Sequence, residues 1–141
     1  PPTITVNMLE RIISELLEVN MTEIILYALT LALFQIWLLP MTINIKSMAY
    51  LMSNRDQQHE MSLLTQRVTR ASTNLQESLP AFLALSLLAM IVEVDVTSAA
   101  TAWLVLRVAY LACYSFGIPV LRSGIWFASI VCMICMAVQI A

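Results

Sequence analysis

Hydrophobic positions run almost unbroken through four stretches of this chain, and a shorter stretch ahead of them alternates apolar residues with acids at helical spacing. Over residues 4–19, Met8, Leu9, Ile12, Ile13, Leu16 and Leu17 form one stripe, while Glu10, Arg11, Ser14, Glu15 and Glu18 face away. Such an amphipathic helix suits the membrane interface or docking on a partner subunit; its acidic face does not suit attraction to anionic lipid. No charge occurs between Glu23 and Lys46, which predicts a first span over about 21–40, kinked at Pro40 and still helical to residue 50. Gln35 and Asn44 read as interhelical hydrogen-bonding groups. Residues 51–65 form a hydrophilic connection, and the lone His59 there reads as a solvated loop residue. A second span runs to about residue 92, Glu93 and Asp95 mark a short turn, and a third span covers 99–117 with Arg107 in its middle. Gly117, Pro119 and Arg122 mark a tight turn and a helix start. A fourth span, 123–141, carries no charge.

Composition agrees with that pattern. The 141 residues are 60% hydrophobic and 11% charged, with two glycines, whereas soluble domains are about 25% charged. The expected fold is an all-α membrane protein: an amphipathic segment over 1–20, then one four-transmembrane-helix bundle over 21–141. Lys46, Arg55, Arg67, Arg70 and Arg122 fall on the two connections of one side. Glu10, Glu15, Glu18, Glu23, Glu93 and Asp95 fall on the other. The positive-inside rule then places loops 46–70 and 117–123 in the cytoplasm and both termini outside. Cys113, Cys132 and Cys135 lie in apolar segments, so no extracellular disulfide framework is expected. The Cys132-Met-Ile-Cys135 spacing reads as inert core, and the nine methionines read as bundle packing or as the lining of a lipid-substrate site. Trp37 and Trp103 read as interface or packing residues. No metal-ligand set and no nucleic-acid motif is present, and no Ser-His-Asp arrangement.

The candidate chemistry lies where polar residues enter the oily runs. Arg67, Arg70, Asn74 and Glu77 recur at intervals of three, four and three, one polar stripe on a helix. Polar and charged groups in a membrane persist when they face a bundle interior, a partner charge or a ligand. Glu77 lies ten residues inward from Arg67, and Arg107 ten residues inward from Gly117. At about 1.5 Å per residue both sit roughly 15 Å deep, which predicts a Glu77–Arg107 ion pair bordering a polar cavity. Arg67, Arg70, Asn74, Tyr110, Tyr114, Arg122 and Ser123 cluster nearer the cytoplasmic end. Cations, an amide and phenols suit a small polyanion with peptide-like groups. Arg122 and Ser123 are expected to open the fourth helix, where a thiolate would be stabilised.

The series Arg67-x-x-Arg70-Ala71-x-x-Asn74-x-x-Glu77-x-x-Pro80, then Arg107-Val-Ala-Tyr110 and Tyr114, then Leu121-Arg122-Ser123, resembles the MAPEG family, the membrane-associated proteins in eicosanoid and glutathione metabolism. The likeness covers about residues 24–141 and is nearest the small bacterial members, which also carry a pair like Arg55-Asp56 in the first loop. It implies a homotrimer in a bacterial inner membrane, with glutathione as cosubstrate between neighbouring subunits near the cytoplasmic face. Arg70, Asn74 and Glu77 would contact glutathione from the second span, and Tyr110 and Tyr114 from the third. Arg67 and Lys46 would add cationic contacts. Arg122 and Ser123 would hold or activate the thiol, and Arg107 would pair with Glu77. Thr73 stands where a basic residue often follows the pattern, Lys46 where an arginine cluster often ends the first span, and Trp126 in place of a family tyrosine. The leading expectation is a glutathione-dependent transferase or peroxidase acting on lipophilic electrophiles. The rival is a non-catalytic accessory subunit of a larger membrane complex, recruited through residues 4–19. A third reading is a small polar-solute channel along the trimer axis.

Overall fold

A computed structural model of the chain describes residues 2–17, 19–43, 52–54 and 62–141. Lys46, Arg55, Asp56 and His59, and the expected continuation of the first span beyond Ile43, lie outside the described residues. The elements are α1 (Pro2–Leu17), α2 (Met21–Ile43), α3 (Leu63–Ile91), α4 (Thr97–Phe116) and α5 (Pro119–Ile140). Helices α2 to α5 are each long and apolar enough to cross a membrane. Helix α1 leaves Ile4, Met8, Leu9 and Ile12 exposed.

Helix α2 starts on Asn20, whose side chain accepts the Glu23 N–H at 3.0 Å, the usual way to satisfy an orphan donor of the first turn. Its buried positions Ile24, Ala28, Ala32 and Gln35 lie along one face. The disturbance expected at Pro40 begins earlier: residues Phe34–Leu38 wind as a π-helix, and the Leu39 N–H bonds back to the Phe34 carbonyl. Proline has no N–H to offer the preceding turn, and a wider turn just before it absorbs the mismatch. Gln35 is buried there.

Helix α3 starts on Ser62, whose hydroxyl accepts the Thr65 N–H at 3.2 Å. Its 29 residues span about 44 Å, more than the ~30 Å hydrocarbon core, so its polar stripe extends toward the bilayer surface. The helix runs on through Pro80 and ends on Glu93 in the left-handed region, φ 57°. The Val94 N–H then reaches the Ala89 carbonyl at 2.9 Å. Helix α4 ends the same way: Gly117 has φ 71°, and Ile118 N–H reaches the Cys113 carbonyl at 3.0 Å, closing the last carbonyls of the helix. Pro119 opens α5 at its first position, where a missing N–H costs nothing. The fourth helix therefore begins one turn earlier than its charge-free run suggests.

Helices α3 and α4 are antiparallel, with Arg67 beside Ser115, Ser78 beside Arg107 and Phe82 beside Trp103. The Phe82 and Trp103 rings stack at 3.9 Å and 7°. Around them pack Ile24, Ala28 and Ala32 of α2, Leu75 and Ala89 of α3, Ala100 of α4 and Met136 of α5. Small residues at helix contacts are what close approach requires where lipid removes the hydrophobic drive between helices. The outer faces are apolar: Phe127, Val131, Ile134 and Val138 mark one exposed stripe of α5. Trp103 is fully buried, whereas Trp37 is 64% exposed.

Candidate functional site

The stripe on α3 divides its members among different tasks. Arg67 lies at the end of α4: its Nη1 donates to the Ser115 carbonyl at 3.5 Å. Its guanidinium also covers Gly117, where an added Cβ would come within 2.8 Å of Nη2. A cation beside the last carbonyls of a helix complements their partial negative charge. Arg70, one turn along, is exposed and makes no hydrogen bond or ion pair among the described residues. Thr73 is exposed and donates its hydroxyl to the Thr69 carbonyl at 3.0 Å.

Asn74 faces α4. Its Oδ1 accepts Nη1 of Arg107 at 2.6 Å, and Ser78, one turn further, accepts Nη2 at 2.7 Å. Arg107 is 1% exposed, with its guanidinium 5.5 Å from the Trp103 ring centroid and 5.6 Å from that of Tyr110. Its Nε has no partner among the described residues. The expected ion pair with Glu77 is thus not the contact observed. Asn74 and Ser78 share one line of the helix, separated by four residues, whereas Glu77 is turned about 100° from Ser78 and is exposed. Glu77 and Arg107 nonetheless border the same cleft, one of about 280 Å³ lined also by Asn74, Ser78, Ala81, Trp126, Ile130 and Met133. Ser78 had a legible signal, since it continues the Asn74 line by one turn, but a serine carries little weight beside charged neighbours.

A second cleft of about 430 Å³ opens toward the α4–α5 turn, lined by Asn74, Tyr110, Tyr114, Arg122, Ser123, Trp126 and Phe127. Five of the residues expected at a binding site meet here; Arg67 and Arg70 are not among the lining residues, and Glu77 belongs to the deeper cleft. Tyr110 is buried and meets Tyr114 edge-to-face, centroids 5.7 Å apart at 64°. The Arg122 guanidinium lies 4.5 Å from the Tyr114 ring centroid, and its side chain has no hydrogen bond or ion pair among the described residues. Ser123 donates its hydroxyl to the Pro119 carbonyl at 3.0 Å, so that proton is already engaged, although its oxygen can still accept. The Arg122 N–H bonds to the Ile118 carbonyl at 3.2 Å, because α5 has already begun. Any help to an anion from this residue therefore comes from its side chain rather than from a free helix N-terminus. Phe127 and Ser78 were not foreseen as part of the site. No group of residues suited to a metal ion occurs among the described residues.

Four membrane-length helices enclosing a buried arginine, with an open cleft nearby lined by a second arginine, two phenols and an amide, define an integral membrane protein. The chain belongs to the MAPEG family, whose family model matches residues 24–141. No curated protein and no solved structure matches it.

Proposed function

We propose that this protein is a membrane-bound glutathione-dependent transferase or peroxidase acting on lipophilic electrophiles, assembled as a homotrimer in a bacterial inner membrane with loops 46–70 and 117–123 cytoplasmic. Family membership supports dependence on glutathione, and the observation that carries the reading is Arg122. It borders a cleft with Asn74, Tyr110 and Tyr114, and its donors answer to no acceptor among the described residues. A guanidinium beside a bound thiol lowers the thiol's pKa and raises the thiolate fraction at neutral pH, which thiol transfer requires. Arg70, exposed on the same helix as Asn74, suits a carboxylate of the tripeptide. Asn74 keeps its amide N–H groups for a peptide carbonyl while its oxygen serves Arg107. Glu77, exposed on the rim of the deeper cleft, suits the ammonium group. The apolar wall of that cleft, Ala81, Ile130 and Met133, suits the lipophilic partner.

The test is glutathione binding by the detergent-purified protein, followed as a thermal shift, together with conjugation of an activated aryl halide. A shift that Arg122→Ala abolishes is the expected result. Absence of a shift at millimolar glutathione sinks the enzyme reading and leaves the accessory subunit in its place.

A further inference from the structure

We infer that Tyr114 is a positioning residue for Arg122, acting through the face of its ring rather than through its hydroxyl. The inference rests on the glutathione reading only for its chemical consequence; its geometry stands in the ligand-free chain. An arginine side chain has many rotamers to lose when fixed, so something has to hold it if it is to meet a thiol in one place. Elsewhere in this molecule acceptors do that: Asn74 and Ser78 hold Arg107, and the Ser115 carbonyl meets Arg67. Arg122 has no such acceptor among the described residues. What lies against it is the Tyr114 ring, 4.5 Å from its central carbon.

The difference has a chemical meaning. A carboxylate or carbonyl clamp occupies N–H donors, and a carboxylate also cancels the charge. An aromatic face attracts the cation through its quadrupole without cancelling its charge or offering a lone-pair acceptor to its N–H donors, so donors remain for an anion. The positive field that stabilises a thiolate is then preserved. The ring is itself fixed from behind. Tyr114 packs edge-to-face with buried Tyr110, Tyr110 lies against Arg107, and Arg107 is bonded to α3. The left-handed turn at Gly117 brings α5 back so that Arg122, eight residues after Tyr114, returns to the Tyr114 ring. Tyr114 therefore ties the position of the Arg122 charge to the rigid α3–α4 pair.

Two readouts on the full chain in detergent separate this inference from the function it serves. The first needs no glutathione: the side-chain N–H resonance of Arg122, assigned with Arg122→Lys, carries the ring-current shift of an aromatic face. Tyr114→Phe should keep that shift and Tyr114→Leu should lose it. An unchanged resonance in Tyr114→Leu overturns the inference whatever the protein binds. The second is the ultraviolet thiolate band of bound glutathione titrated against pH. Tyr114→Leu should raise the thiolate midpoint by about half a pH unit, the scale of a partly exposed cation–π contact, and Tyr114→Phe should restore it. A Phe variant that fails as badly as Leu shows that the hydroxyl matters instead, and overturns the inference. If no variant, wild type included, shows a thiolate band, the glutathione reading falls, while the resonance still decides whether the ring holds the guanidinium.

Discussion

Arg107 and Arg122 are the same side chain used in opposite ways, and the contrast shows what decides between structure and chemistry in an apolar bundle. Arg107 is buried, bonded to Asn74 and Ser78 and flanked by Trp103 and Tyr110. Its charge has been taken up by the fold. Arg122, on the next helix, rests on Tyr114 and borders an open cleft. Arg107 lies deeper in its span than Arg122, and it also reaches fixed acceptors that Arg122 lacks among the described residues. A guanidinium inside a membrane is tolerated when neighbouring groups bond to it, and it becomes available for a guest where those acceptors are replaced by an aromatic face.

The largest expected effect tests that difference directly. Arg107→Ala removes two charge-assisted hydrogen bonds and leaves Asn74 and Ser78 without their donor, which should cost about 3–5 kcal/mol of stability. Arg122→Ala loses only the contact with the Tyr114 ring and should cost no more than about 1 kcal/mol. Both are read from thermal unfolding in detergent without glutathione. Equal losses in the two variants would falsify the division between them.

Much of this was legible in the residues, and the rest was hidden for physical reasons. The four spans and the amphipathic first helix followed from apolar run lengths, and the polar stripe on α3 from its spacing. The depth of Glu77 and Arg107 pointed to one level of the bundle, where both now border a single cleft. The Asn74 and Ser78 acceptors of Arg107 were not foreseen because a stripe read at intervals of three and four spreads around the helix, and only the approach of α4 shows which edge faces inward. That edge holds Asn74 and Ser78. The start of α5 was placed too late because the charge-free run began at Ser123, while Pro119 supplied the better helix-start signal. The placement of Arg67 beside the end of α4 is something spacing within one helix does not show.

Gly117 gives the next largest effect and a third case of arginine use. Its positive φ disfavours any side chain, and a methyl there would meet the Arg67 guanidinium. Gly117→Ala should cost about 1–2 kcal/mol from the left-handed backbone, with a further penalty for displacing Arg67. Adding Arg67→Ala should recover that further penalty, so the double variant is less destabilised than the sum of the singles. Strict additivity in thermal unfolding would mean that Arg67 does not cover this turn, and would place it nearer to Arg122 in kind.

Ser78→Ala is a finer probe of how Arg107 is held. It removes one of two acceptors, so the loss should be about 1–2 kcal/mol, well short of Arg107→Ala. Ser78→Thr keeps the hydroxyl and should recover part of it. Were Ser78→Ala silent, Asn74 alone would be sufficient to fix the buried charge.

Asp95 carries the smallest expected effect and extends the comparison to a negative charge outside the spans. Its Oδ1 accepts the Thr97 N–H at 2.9 Å at the start of α4. The Thr97 hydroxyl and that backbone N–H together hold the carboxyl below its ordinary range. A carboxylate depressed in the folded state contributes stability that is complete above the unfolded value, about 3.9, and is lost as pH falls through the folded value. The contribution should therefore be constant from pH 5 to 8 and fade only in stronger acid. Because the group is fully exposed, its share is small beside that of Arg107. Asp95→Ala should lower the thermal midpoint slightly at neutral pH and converge with wild type in acid, whereas Asp95→Asn keeps an acceptor and loses only the titration. An Asp95-dependent change in midpoint between pH 5 and 8 would place the titration in the wrong window. A helix-end carboxylate would then be responding to something other than its own first turn, and the rule drawn from the arginines, that fixed local partners settle a charge's role, would not extend to it.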